Sequence, residues 1–139
     1  AGWHDDVHTM IGAIETPYKW ALMGREPIQR WSFGRATLLG DACHPMLPFM
    51  AQGAAMAIED AAVLARVLEG PGPLNARLER YERHRAPRAA RVVRESTEMG
   101  ELYHVVDAAA MRQAFVERDI ARSRNEWLYP YDPWQAALD

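Results

Sequence analysis

The chain has a single cysteine, Cys43, among 139 residues. One thiol rules out an internal disulfide, and with no second thiol nearby a thiolate metal centre is not expected, so no metal is assigned. No run approaches the roughly 18 consecutive apolar residues of a membrane span, and no basic, apolar, small-residue leader opens the sequence. A cytoplasmic protein without a membrane partner is the expectation. Basic residues are not in excess either: sixteen against nineteen acidic ones leave a net charge of −3, which argues against a nucleic-acid partner. Internal repeats and low-complexity stretches are absent as well.

What is present, 49% hydrophobic and 25% charged residues, suits one ordinary domain with a modest core. The most informative stretch is 40–60. The short apolar run 36–39, bounded by Gly34 and Gly40, predicts a buried strand that delivers Asp41 to its carboxyl end, the edge where α/β sheets hold ligands. Pro45 and Pro48 stiffen the loop that follows, and Gly53 allows close backbone approach to a flat ligand. A helix starting there points unpaired amides and the positive end of its dipole at whatever lies against Gln52, Gly53 and Ala54.

Elsewhere, Val7, Met10, Ile11 and Ile14 predict a short helix over 5–14, capped by Asp5 or Asp6 and closed by Pro17. The aromatic-rich segment 18–25 predicts a strand, and 27–35 a linker. In the helix after Gly53, the residues Ala54, Ala57, Ile58, Ala61, Leu64, Ala65 and Leu68 are expected to form the inward stripe, with Gly70 and Pro71 as the stop. A long helix is expected over 74–103, with Leu78, Tyr81, Val92, Met99 and Leu102 inward and a kink or break near Pro87. A third helix is expected over 107–121. The tail from Trp127 to Trp134 is too proline-rich to be helical and too aromatic to lie idle, so it is expected to pack on the body. The fold class is mostly α with two short strands, too few to make a stable sheet.

Individual side chains admit bland and sharp readings together. His44 fits a packed imidazole or an acid–base group. Met46, Met50 and Met56 fit a channel lining or core filler, and Cys43 a small buried filler. Glu59 and Asp60 point about 100° apart on a helix, so they read as structural residues, capping or pairing with arginines such as Arg66 or Arg35. The arginines between Arg77 and Arg94 alternate with Glu79, Glu82 and Glu95 and read as a solvated or interface surface.

The block from Gly40 through Asp41, His44, Pro45, Pro48, Gln52 and Gly53 to Asp60 resembles the second flavin-binding motif of single-component FAD-dependent aromatic hydroxylases. Tyr18, Trp20, Arg25, Trp31, Arg35, Tyr81, Arg85, Arg88, Trp127 and Tyr131 extend the resemblance to the salicylate, 3-hydroxybenzoate and 6-hydroxynicotinate hydroxylase branch. Such enzymes open with a Gly-x-Gly-x-x-Gly turn, which no spacing here matches, so the resemblance implies the carboxyl-terminal part of an α/β FAD-binding enzyme.

The resemblance implies FAD as cofactor, NAD(P)H as co-substrate, and a small phenolic or hydroxylated N-heteroaromatic acid as substrate. It gives Gly40, Asp41, Pro48, Ala51, Gln52, Gly53 and Ala54 to the flavin, with Asp41 accepting from a ribityl hydroxyl. Tyr18, Leu47 and Phe49 are implied to border the substrate, and His44 to carry an acid–base role. By the same resemblance, 1–34 is the remnant of a substrate-domain sheet with its linker, 35–70 the flavin-binding unit, and 71–139 the helical end. The partners implied are the missing amino-terminal FAD-binding portion and, through a bare strand edge, a second copy of the chain. The competing class is a non-catalytic helical oligomerisation module.

Overall fold

The computed structural model describes residues 2–119, 122 and 124–138. Helix α1 spans Asp5–Gly12, shorter than expected; His4 caps it by accepting from the Asp6 amide, and no residue of it is buried. Residues 13–30 form no helix or strand. The strand expected over 18–25 is therefore absent: Tyr18 is 77% and Trp20 82% exposed. A strand needs a neighbour to hydrogen-bond, and no described residue supplies one there.

The two strands that do form make one hairpin, β1 (Ser32–Phe33) antiparallel to β2 (Ala36–Thr37), with Phe33 opposite Ala36. Gly34 takes φ +62° at the first turn position, the requirement of a type II′ turn. This corrects two expectations. The predicted linker 27–35 contains β1 and the fully buried Trp31, while Ala36, expected to be buried, is exposed. The hairpin is held from outside by Glu82, whose carboxylate accepts from the amides of Trp31 at 2.8 Å and Ser32 at 2.6 Å.

Helices α2 (Gly53–Glu69) and α3 (Leu74–Tyr103) are the scaffold, and they pack antiparallel. Their pairing is explicit: Asp60 meets Arg85, Glu59 meets Arg88, and the Arg77 guanidinium donates to the Leu68 carbonyl. Pro87 lies inside α3 without breaking it. A missing amide removes one helical bond, while Arg85 and Arg88 anchor the turns on both sides. All five inward residues expected on α3 are buried.

On α2 the buried face is not the expected stripe. Met56, Asp60, Val63 and Val67 point inward with Ala62, whereas Ala54, Ile58, Ala61, Ala65 and Leu68 are exposed. One core cluster gathers Trp31, Cys43, Val63, Val67, Tyr81 and Ala89, and another gathers Met50, Met56, Val92, Met99, Leu102 and Leu128. Met50 and Met56 are thus core filler.

Helix α4 (Ala108–Glu117) starts on Asp107, whose carboxylate accepts from the Ala110 amide at 2.6 Å. The end expected for it, Ala121, lies outside the described residues. Residues Arg124–Leu128 make a single π-helical turn, so the first tail residues are helical after all. The rest of the tail straps the body: Arg66 donates to the carbonyls of Pro133 and Ala136. No described helix is long and apolar enough to cross a membrane.

Candidate functional site

The segment between β2 and α2 is built almost without regular structure, and α3 holds it in place. Tyr81 donates its hydroxyl to the Leu38 carbonyl at 3.1 Å, and Ser96 donates to the Leu47 carbonyl at 2.5 Å. Between these anchors Gly40 turns at φ +61°, a value that an L side chain tolerates poorly. A Cβ there would also meet the Ala57 methyl at 3.3 Å. The turn Gly40–Ala42 leaves Asp41 exposed, and a second turn, Pro48–Met50, ends at Ala51 with φ +54°.

These turns and α2 enclose a groove of about 650 Å³ lined by Gly40, Asp41, Leu47, Pro48, Gly53 and Ala54 among others. That volume suits a small-molecule ligand. No side chain caps α2, so its first-turn amides remain available to the groove. At one wall stands a carboxylate able only to accept hydrogen bonds; at another stands a helix end offering donors and positive potential. Such a groove suits a ligand carrying hydroxyls at one end and an electron-rich edge at the other.

Beneath the groove lies a buried charge cluster. Asp60, 0% exposed, accepts from His44 Nε2 at 2.5 Å, from Arg85 Nε at 2.8 Å and from the Gly40 amide at 3.2 Å. Burial alone would raise its carboxyl, but the hydrogen bonds from His44 and Arg85 outweigh that and hold it below its ordinary value. Burial would likewise lower the Arg85 guanidinium, and its bond to Asp60 together with the charge of Glu59 raises it instead. Burial, reinforced by the charge of Asp60, pushes the Cys43 thiol up to about 12.

Cys43, His44 and Asp60 offer ligand atoms within 4.8 Å of one another. Both oxygens of Asp60 are already engaged, the thiol donates to the Gly40 carbonyl, and Arg85 sets a positive charge against the same carboxylate. A cation is therefore opposed there.

The structure brings six of the seven cofactor-type residues to one groove: Gly40, Asp41, Pro48, Ala51, Gly53 and Ala54. Gln52 is the residue from which α2 starts. His44 is 1% exposed and bonded to Asp60, inside the core rather than at the groove wall. Leu47 lines the groove and also a neighbouring cavity of about 500 Å³ with Leu22, Arg25 and Val93. Phe49 turns on to Gly100 of α3, and Tyr18 stands in the exposed segment. The three substrate-type residues are not gathered. Arg85 and Arg88, read from sequence as part of a solvated or interface surface, face α2: Arg85 is buried, and the half-buried Arg88 binds both oxygens of Glu59 at 2.7 and 2.8 Å. Their signal lay in spacing, since Leu78, Tyr81, Arg85, Ala89 and Val92 share one face of α3.

A turn held by a buried carboxylate, an exposed aspartate and an uncapped helix start thus meet at one groove, an arrangement suited to a cofactor. The chain belongs to the FAD binding domain family, whose model matches residues 7–96. It is 44% identical to the 3-amino-4-hydroxybenzoate 2-monooxygenase of Streptomyces platensis, over 95% of this chain and 34% of that protein. It is 55% identical to the 6-hydroxynicotinate 3-monooxygenase of Bordetella bronchiseptica, over 69% of this chain and 26% of the relative. Among solved structures, a salicylate hydroxylase substrate complex superposes with a TM-score of 0.78 at 34% identity, covering 93% of this chain and 32% of that one. The chain thus spans between about a quarter and a third of the length of these relatives.

Proposed function

We propose that the chain is the carboxyl-terminal flavin-binding part of an FAD-dependent monooxygenase that hydroxylates a small phenolic or hydroxylated N-heteroaromatic acid. The observation that carries this reading is the groove joining Asp41 to the start of α2. Its residues fit the group: Gly40 and Gly53 leave room for a flat ligand, and no cap competes for the helix amides. FAD, when bound, supplies electron transfer from NAD(P)H and the activation of O₂.

The chain's own residues bind and orient. Asp41 accepts from ribityl hydroxyls; the amides of Gly53 and Ala54, with the dipole of α2, stabilise negative charge at the ring edge. Pro48 and Ala51 form the stiff wall against the ring, and Gln52 sets the entry of α2. Leu47 borders the substrate side. His44 acts through Asp60 as a positioning residue. In this reading 1–34 belongs to a substrate-side sheet, 35–70 to the flavin unit and 71–139 to its support. The exposed Tyr18, Trp20, Ile58 and Leu68 are surfaces for the complementary amino-terminal portion. Without that portion these same surfaces favour self-association.

Equilibrium dialysis of the chain against FAD tests the proposal. Weak binding by the chain alone, rising when the complementary portion of a relative is added, is expected. Tight one-to-one binding with NAD(P)H oxidation by the chain alone would contradict the division of the site between two portions.

A further inference from the structure

The tail and the groove share no residue, yet an unbroken chain of polar contacts, half-buried at the tail and fully buried at Asp60, joins them. Tyr131 lies over the Arg88 guanidinium at 4.0 Å and over that of Arg85 at 5.3 Å. Arg88 donates to the carbonyls of Trp127 at 3.1 Å and Leu128 at 2.9 Å, and its other face grips Glu59. Glu59 also meets Arg85 at 2.8 Å, Arg85 holds Asp60, and Asp60 holds the Gly40 amide. Every link is made by an ion or on an ionic partner, half-buried at Tyr131, Arg88 and Glu59 and fully buried at Arg85 and Asp60, where such contacts are strong and mutually dependent.

Gly40 is where that chain ends and where the groove begins. Its positive φ is a conformation that glycine, unlike other residues, leaves easily, so its geometry depends on what holds the amide. We propose that the tail is a positioning element of the flavin site: Tyr131 and Arg88 act through Glu59, Arg85 and Asp60 to fix the Gly40 amide and hence the place of Asp41. The inference rests on the flavin reading of the groove, but the coupling itself is a property of the protein without ligand.

The test is amide hydrogen exchange of the full 139-residue chain, read at Gly40 against core amides of α2 and α3. Three variants are compared: Tyr131→Leu, Glu59→Gln, and Val67→Ala as a core control that lies off the chain of contacts. Tyr131→Leu and Glu59→Gln are expected to speed exchange at Gly40 about tenfold beyond any change at the core amides, while Val67→Ala changes both in step. In the Asp60→Asn background the effect of Tyr131→Leu at Gly40 is expected to vanish. Glu59→Gln removes a half-buried charge that two arginines share and is the variant most exposed to misfolding; the milder Tyr131→Leu then carries the test. Exchange at Gly40 that follows the core in both variants would overturn the proposal. Titration with FMN separates the two readings: a selective response at Gly40 in a chain that binds no FMN supports the coupling and removes the flavin assignment.

Discussion

Replacing Asp60 by asparagine keeps the shape and removes the charge from a site where three donors converge. Arg85, 0% exposed, would keep only Glu59 as its anionic partner, and the new amide would point two N–H donors at neighbours that are themselves donors. Breaking a buried pair costs about 3–5 kcal/mol, and the acceptor that asparagine retains brings the expected loss to about 2–4 kcal/mol. Against a total of about 5–15 kcal/mol that is a large fraction. The pH dependence follows from the lowered carboxyl. A group whose folded value lies below its ordinary value of 3.8 contributes stability above that value, and the contribution is lost as pH falls towards the folded value. The gap between wild type and Asp60→Asn should therefore be full at neutral pH and shrink on the acid limb below about pH 4. Urea unfolding followed by the fluorescence of the five tryptophans measures it at each pH. A gap under about 0.5 kcal/mol at neutral pH, or one that stays constant through the acid limb, would refute the reasoning.

Two further outcomes are expected. A Cβ on Gly100 would run into the Phe49 ring, so Gly100→Ala should destabilise by about 1–2 kcal/mol despite the better helix propensity of alanine. Adding Phe49→Leu should recover part of that loss in thermal melts. Cys43, pushed from 9.0 up to about 12, should resist iodoacetamide at pH 8 in the folded chain and react readily in urea. Because its folded value is raised, the stability it contributes is complete below pH 9.0 and is lost as pH climbs from there towards about 12.

Local chemistry that depends on one residue type was legible in the sequence. Gly40, Asp41, Pro48 and Gly53 stand in a single groove because turn geometry and helix starts leave marks at fixed positions. The two long helices and the inward residues of α3 were legible for the same reason, since their period is written in apolar residues. The buried face of α2 was not. Its stripe runs through Asp60, and a count of apolar residues rotates the helix away from a carboxylate that Arg85 and His44 make compatible with the interior. Arg85 escaped in the same way. The strand expected over 18–25 failed for a different reason: its aromatics favour a strand, but a strand exists only beside another, and the described residues contain no partner for it. For Phe49 and Tyr18 the sequence offers only the family resemblance; in this chain Phe49 packs on Gly100 and Tyr18 stands on an open surface.

The central claim is that the groove between Gly40 and α2 holds the ribityl and ring portions of a flavin. FMN titrated into the isotopically labelled chain, with backbone amide shifts followed by NMR, tests it most directly. The expected result is a saturable set of shifts centred on Gly40, Asp41, Gly53 and Ala54 and weakened at least about tenfold by Asp41→Ala, the loss of a charge-assisted hydrogen bond. Shifts centred on other residues, or binding indifferent to Asp41→Ala, would contradict it.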